Sequence, residues 1–319
     1  MKFLKNKRRI QAITNYLDTV RDYLRWTLSQ FNQASLHYGH GTDSAWDEAV
    51  HLVLQALNLP LSIDNRVLDA KLTVQERRKI IYWVWLRINK RLPLPYITNT
   101  AWFAKLPFYV DSRVLIPRSP IGELIRNEFE PWCDTHSVHR VLDLCTGGGC
   151  IAIGCAHLMP QAQVIGSDIS PDALKVAQVN RQKHQMEHQL QLVQSDLFDQ
   201  LDPEQKFDLI VSNPPYVDQP DMDSLPAEYH HEPRNALAAG QDGLTIVRRI
   251  LAQASDYLTS QGILIVEVGN SQEALQAEYP EVPFTWLCFE DGGDGVFLLK
   301  YDELLAYQDI FQQRRDKAS

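Results

Sequence analysis

Cysteine is scarce in this chain, with five in 319 residues (Cys133, Cys145, Cys150, Cys155 and Cys288) and no C-x-x-C pair among them. An odd number without paired spacing excludes a disulfide framework and leaves these residues as buried small side chains. No run of eighteen apolar residues occurs, which excludes a membrane-spanning helix. The start, Met1-Lys2-Phe3-Leu4-Lys5-Asn6-Lys7-Arg8-Arg9-Ile10, has charges with no apolar stretch behind them, so a secretory leader is not expected and cytoplasmic residence is. Positive charge is in deficit: 31 Lys and Arg stand against 40 Asp and Glu, a formal net charge of −9. That balance disfavours a nonspecific nucleic-acid binder and suits a basic partner. The one basic cluster, Lys5, Lys7, Arg8 and Arg9, reads as a solvated terminus, with contact to RNA as the alternative. Internal repeats and low-complexity tracts are absent.

The chain does have a hydrophobic content of 45%, enough for ordinary globular cores. Val141-Leu142-Asp143-Leu144 reads as a buried strand running into the glycine-rich turn Cys145-Thr146-Gly147-Gly148-Gly149 and a helix from Ile151. A second strand from Gln163 ends in Asp168, about twenty residues past the turn, where a carboxylate can accept both ribose hydroxyls of a nucleoside. Ser170-Pro171-Asp172 gives the N-cap, first-turn proline and first-turn acid of the next helix. A third strand near Gln189 to Gln194 leads to Asp196, placed to bind an adenine amino group, with Leu197 and Phe198 flanking the ring.

A fourth apolar run, Phe207 to Ser212, ends in Asn213-Pro214-Pro215-Tyr216. Amide nitrogen is a poor nucleophile because its lone pair is delocalised, so a catalyst must orient the NH2 and favour a pyramidal nitrogen. The side-chain oxygen of Asn213 and the carbonyl of Pro214 can each accept one N–H. The two prolines stiffen the turn, and Tyr216 can stack on the flat amide. The tetrapeptide therefore points to amide or amino N-methylation, against the plain alternative of a surface turn. A glycine turn alone would also serve a nicotinamide dehydrogenase. The imperfect G-x-G-x-x-G pattern, the acid after the third strand and the tetrapeptide after the fourth favour S-adenosylmethionine.

Taken together, Asp143 to Gly149, Asp168, Asp196-Leu197-Phe198 and Asn213 to Tyr216 resemble the motif series of the protein glutamine-N5 methyltransferases. Leu115-Ile116-Pro117-Arg118 upstream and Glu232-Pro233-Arg234-Asn235-Ala236-Leu237 with Gly240 and Asp242-Gly243-Leu244 downstream extend the likeness over roughly residues 90–300. The resemblance implies a seven-stranded Rossmann-like class I methyltransferase domain, α/β in class, with a small N-terminal helical domain and a connecting β-hairpin. It implies cofactor contacts at Asp143, Cys145, Thr146, Gly147 and Gly149 in the turn, at Asp168 and Ile169, at Asp196 and Leu197, and at Asn213. Asn213, Pro214, Pro215 and Tyr216 become the catalytic turn, and Asn213, Pro214, Tyr216 and Arg118 the substrate contacts. Arg118 is equally readable as a loop arginine capping a carbonyl. Gly148 departs from the Ser or Thr common in the family, and a glycine should still admit the cofactor.

One branch of that family methylates peptide release factors and another large-subunit ribosomal protein three. Ser119-Pro120-Ile121-Gly122-Glu123, in place of Pro-x-Thr-Glu, and His37-Tyr38-Gly39-His40-Gly41-Thr42-Asp43 resemble the ribosomal-protein branch. A basic ribosomal protein, met before ribosome assembly, is the implied partner. Release-factor methylation, amino methylation of adenine or cytosine in nucleic acid, and a noncatalytic nucleotide-binding assembly module are the alternatives.

The expected division is residues 1–92 as a helical substrate-recognition domain, 93–115 as linker and hairpin, 116–307 as the methyltransferase domain and 308–319 as a tail, either a frayed helix or disordered. Helical spacing recurs at Ile10, Ile13, Leu17, Val20, Leu24 and Phe31, and at Trp46, Val50, Val53, Leu54 and Leu57. Thr73 to Glu76 resembles a capping box before Ile80, Ile81, Val84 and Trp85. The helical bundle recognises the protein substrate by resemblance, and a stabilising cap is the alternative. His184 and His188 lie one helical turn apart, yet no Cys or carboxylate set completes a site, so solvent-facing histidines and no metal are expected.

Overall fold

The structure is a computed structural model that describes residues 13–317. It divides into two compact units, Met1–Thr100 with Pro226–His231, and Ala101–Leu225 with Glu232–Ser319. Lys5, Lys7, Arg8, Arg9 and Ile10 lie outside the described residues.

In the first unit, α1 (Val20–Gln33), α2 (Ala45–Ala56), α3 (Val74–Lys90) and the short α4 (Leu94–Thr98) bury one apolar stripe each. Thr19 with Asp22 and Thr73 with Glu76 form capping boxes that satisfy the first-turn N–H groups of α1 and α3. The spacing read through Ile13 and Leu17 is interrupted at that first cap, so α1 starts at Val20. Trp46, expected on the apolar stripe of α2, is instead exposed. Arg87 is buried at the centre of the unit. Its Nε donates to Glu48 (2.5 Å), its Nη1 to Glu228 (3.0 Å) and its Nη2 to the carbonyl of His37 (2.6 Å). The segment 226–231 is thus held in the helical unit by a buried charge network, and His231 reaches the carbonyl of Lys90 at 2.7 Å.

The second unit opens with the hairpin β1 (Ala101–Phe103) and β2 (Leu106–Phe108), followed by α5 (Ile121–Arg126). Next come β3 (Arg140–Leu144), α6 (Cys150–Leu158), β4 (Gln163–Asp168), α7 (Pro171–Lys183), β5 (Leu190–Gln194) and β6 (Phe207–Ser212). The chain continues through α8 (Gln219–Ser224), α9 (Thr245–Gln253), β7 (Leu258–Glu267), α10 (Gln272–Glu278), β8 (Thr285–Trp286) and β9 (Val296–Lys300), and closes with α11 (Tyr301–Ala306) and α12 (Gln308–Lys317).

The seven-stranded sheet has the order β5-β4-β3-β6-β7-β9-β8, parallel except that β9 runs antiparallel to both neighbours. Alternation along the strands feeds two cores: Val141, Leu209 and Val211 face one helical layer, while Leu142, Leu144 and Ile210 face the other. This is the Rossmann-like α/β class expected from the sequence.

Two boundaries are corrected. The segment 93–115 is divided: α4 belongs to the helical unit, and the hairpin packs Phe103 and Phe108 into the core of the sheet unit. The tail after Tyr307 is ordered helix α12, because Phe311 is fully buried and the side chains of Gln308 and Gln312 donate to the carbonyl of Ala252. The apolar Phe311 supplies what the surrounding polar run, read alone, does not.

Candidate active site

Strand order reverses between β3 and β6, and in an open α/β sheet that reversal opens a crevice at the carboxyl ends of the two strands. Ser212 Oγ donates to the carbonyl of Leu144 (2.9 Å), tying the two strand ends together there. From β3 the chain turns through Cys145 to Gly149, with the N–H of Thr146 donating to the carbonyl of Ser167 (2.9 Å). Gly149 has a φ of +81° at the head of α6, and a Cβ there would sit 3.3 Å from that of Ala177, so both backbone conformation and close packing require glycine. At Gly148 an added Cβ would meet its nearest neighbours at 3.7 Å, an ordinary contact, so the departure from Ser or Thr leaves the turn undisturbed.

Beneath the turn, fully buried Asp143 accepts from Thr146 Oγ1 (2.5 Å) and from the N–H of Ala152 (2.9 Å) through Oδ2, while Oδ1 has no partner. Burial pushes its carboxyl up to about 7. From α7, fully buried Asn180 locks the turn on its other side: Nδ2 donates to the carbonyls of Gly148 (2.8 Å) and Tyr109 (3.0 Å), and Oδ1 accepts the N–H of Tyr109 (2.7 Å).

A cleft of about 330 Å³ lies over this turn. Its wall includes Cys145, Thr146, Gly147, Asp168, Ile169, Asp196, Leu197, Asn213, Pro215 and Arg118 from the expected set. Asp143 and Gly149, expected as cofactor contacts, do not line it. They stand behind the wall, where Asp143 fixes Thr146 and the start of α6. Asp168 accepts the N–H of Gly147 (2.8 Å) on Oδ2 and that of Ser170 (2.8 Å) on Oδ1, so its carboxylate is fixed and each oxygen keeps a lone pair for a vicinal diol. Burial raises its pKa, opposed by those two N–H groups. Asp196 is paired with Arg249 of α9 at 2.9 Å, a partner that the sequence did not suggest. Burial also pushes the Cys145 thiol up, which keeps it protonated and unsuited to nucleophilic work.

At the end of β6, the side chain of Asn213 lines the cleft and makes no hydrogen bond with any described residue. Pro215 lines it too. Pro214 is buried behind, its carbonyl likewise without a hydrogen bond among the described residues. Tyr216 is half-buried and does not line the cleft; its hydroxyl donates to buried Glu267 at the end of β7 (2.8 Å). Arg118 spans Glu232 with Nη1 on Oε1 (2.7 Å) and Nη2 on Oε2 (2.9 Å), and Glu232 Oε1 also accepts the N–H of Ile116. The carbonyl-capping reading holds as well, since Nη1 lies 3.1 Å from the carbonyl of Ile116. The Leu-Ile-Pro-Arg and Glu-Pro-Arg motifs are therefore two halves of one junction. Likewise Asp242 pairs with Arg248 and accepts the N–H of Leu244, which explains the Asp-Gly-Leu motif as an anchor for α9.

Asn180, Arg249 and Glu267 carry no local signature, and only the fold brings them to the site. His184 corrects an expectation. It caps α7 rather than sharing a helix with His188, and while partly exposed it contacts His157 (3.3 Å) and the carbonyl of Pro107 (3.0 Å). Among the described residues no group of three or more metal-ligating side chains converges. Nor is any described helix long and apolar enough to cross a membrane. The arrangement can thus hold a nucleoside-bearing cofactor on one side of the switch point and present a free amide oxygen on the other.

A family model for a methyltransferase domain matches residues 135–291. A ribosomal protein uL3 glutamine methyltransferase from Francisella tularensis subsp. tularensis is 54% identical over 304 residues, covering 95% of this chain and 96% of that protein. The protein of the same name from Neisseria gonorrhoeae is 48% identical over 291 residues, covering 91% and 96%. With nearly full-length identity of this order and the expected motifs converging on one crevice, the chain belongs to the ribosomal protein uL3 glutamine methyltransferase family.

Proposed function

We propose that the protein transfers a methyl group from S-adenosylmethionine to the side-chain amide nitrogen of a glutamine in ribosomal protein uL3. The observation that carries this reading is the side chain of Asn213, which lines the crevice with its amide committed to no described residue and so open to a ligand. When bound, the cofactor supplies an electrophilic methyl on a sulfonium sulfur. The site's residues fit it: Asp168 offers lone pairs to the ribose diol, Asp196 accepts from the adenine amino group, Ile169 and Leu197 flank the base, and Cys145, Thr146 and Gly147 admit its chain. Asp143 and Gly149 hold that turn in shape.

On the substrate side, Asn213 Oδ1 and the carbonyl of Pro214 each accept one N–H of the glutamine amide. Both acceptors strengthen as nitrogen gains positive charge, which stabilises the transition state over the flat ground state. Pro215 stiffens the turn, Tyr216 orients the amide, and Arg118 holds the approach to it through Glu232. The N–H proton becomes acidic once the N–C bond forms and passes to water. The acidic chain, at −9, suits capture of a basic protein, and we place the reaction in the cytoplasm on uL3 free of the ribosome. We assign recognition of that substrate to the helical unit and methyl transfer to the sheet unit, residues 101–225 with 232–317.

The test is to incubate the protein with methyl-labelled S-adenosylmethionine and, separately, unmethylated uL3, a release factor and nucleic acid, then locate the label by mass spectrometry. Label on a uL3 glutamine is expected. Label on the release factor alone would overturn the substrate, and label on nucleic acid alone would overturn the substrate class.

A further inference from the structure

Tyr216 is fixed at three points. Its hydroxyl donates to Glu267 Oε1 (2.8 Å), and its carbonyl accepts from Ser271 Oγ (2.8 Å). Its ring lies on the bare Cα of Gly269, where a Cβ would fall 2.5 Å from Cε2. Glu267 is the hub. It sits at the last position of β7, is buried, and forms no ion pair among the described residues. Its second oxygen, Oε2, takes the hydroxyl of Ser119 in a short hydrogen bond. Burial pushes its carboxyl above the usual range, against these hydroxyl donors and the nearby charge of Arg118. A carboxylate buried without a directly paired cation costs several kcal/mol, which an apolar residue of similar shape would avoid. What an apolar residue could not do is hold two hydroxyls at once, one from the catalytic turn and one from the segment after Arg118.

We propose that Glu267, braced by Ser119, is a positioning residue for methyl transfer that fixes Tyr216, and with it the amide-holding turn of Asn213 to Pro215. The inference rests on the reading of Asn213 to Tyr216 as the amide-holding turn. A ring free to rotate would have to be ordered anew at each turnover. Tethering its hydroxyl removes that entropy before substrate arrives, so the gain falls on turnover and leaves the cofactor pocket untouched. It also gives Ser119, in a segment that differs between the two branches of the resembling family, a physical task.

The test compares the full-length wild type, Glu267→Leu, Tyr216→Phe and the double variant, reading kcat on uL3, KM for uL3, cofactor affinity by calorimetry and thermal stability. The single variants are expected to lose about tenfold to a hundredfold in kcat, with KM and cofactor affinity within about twofold. The double variant should be no worse than the poorer single, because both changes cut the same tether. Ser119→Ala with Tyr216→Phe gives the same cycle should Glu267→Leu fail to fold. Normal kcat in the single variants, additive losses, or a parallel fall in cofactor affinity would overturn the inference. An inactive wild type would overturn the functional reading, and the inference with it.

Discussion

Asn180→Ala should damage both stability and cofactor binding, although Asn180 touches neither solvent nor the expected cofactor. The fully buried side chain makes three hydrogen bonds, to the N–H and carbonyl of Tyr109 and to the carbonyl of Gly148. At about 0.5–1.5 kcal/mol each, with the abandoned groups left buried, the expected loss is about 2–4 kcal/mol of unfolding free energy. The Gly148 bond alone restrains the turn. Releasing it should weaken S-adenosylmethionine binding by about fivefold, the equivalent of about 1 kcal/mol. Asn180→Asp sharpens the test: it keeps the acceptor for the Tyr109 N–H but turns a carboxylate oxygen toward two carbonyls. That buried carboxyl's pKa must rise, so the variant should regain stability as pH falls toward 5 and lose it as pH rises. Urea denaturation by circular dichroism and calorimetric titration give the readouts. An Asn180→Ala protein within about 0.5 kcal/mol of wild type, with unchanged cofactor affinity, would refute the claim that this side chain locks the turn.

Arg87→Ala leaves the buried carboxylates of Glu48 and Glu228 without their main cation and should cost about 3–5 kcal/mol in urea denaturation; under 1 kcal/mol would contradict the network. Burial opposes ionisation of Glu228, yet the hydrogen bonds from Arg87 and His37 hold its pKa below the usual range, so its contribution is present at neutral pH and lost in acid. The gap between wild type and Arg87→Ala should therefore narrow as pH falls toward 4. Asp143, raised to about 7, acts in the opposite sense: its contribution is full at low pH and lost as pH rises through 7. Relative to Asp143→Asn, the wild type should lose stability by up to about 1.4 kcal/mol per pH unit as pH rises from about 4 to about 7 and level off above that, and a difference independent of pH across that window would refute the shift. Asp168→Ala should weaken cofactor binding in calorimetry, and unchanged affinity would remove the ribose role from its two N–H-oriented oxygens.

The sheet unit was legible because its strands are short apolar runs with punctuation. Val141 to Leu144, Gln163 to Asp168 and Phe207 to Ser212 each end in residues that make no sense as continued strand, and each ends at the crevice. Ser170-Pro171 and Thr73-Glu76 announced helix starts through chemistry confined to four residues. What the sequence hid is non-local. Asn180 to Gly148, Arg249 to Asp196, Arg118 to Glu232 and Ser119 to Glu267 join residues 32 to 148 positions apart, and nothing in either neighbourhood marks the pairing. Tyr216 shows the limit within a motif: nothing around it announces that its hydroxyl is held by Glu267, at the end of β7. Helix α12 reads from sequence only as frayed or disordered because one buried Phe311 among polar residues gives no period to read.

In the proposed reaction, Asn213 Oδ1 and the Pro214 carbonyl hold the glutamine amide during methyl transfer. The most direct measurement is turnover of Asn213→Ala on uL3, followed as N5-methylglutamine by mass spectrometry, with cofactor affinity measured on the same preparation. Because the Asn213 side chain makes no hydrogen bond with the described residues, its removal should leave folding unchanged, and cofactor affinity should stay nearly intact, since Asp168 and the glycine turn supply the main contacts. Turnover should fall by about a hundredfold to a thousandfold, the scale of losing one preorganised polar contact to the transition state. Turnover within a few-fold of wild type would contradict the account.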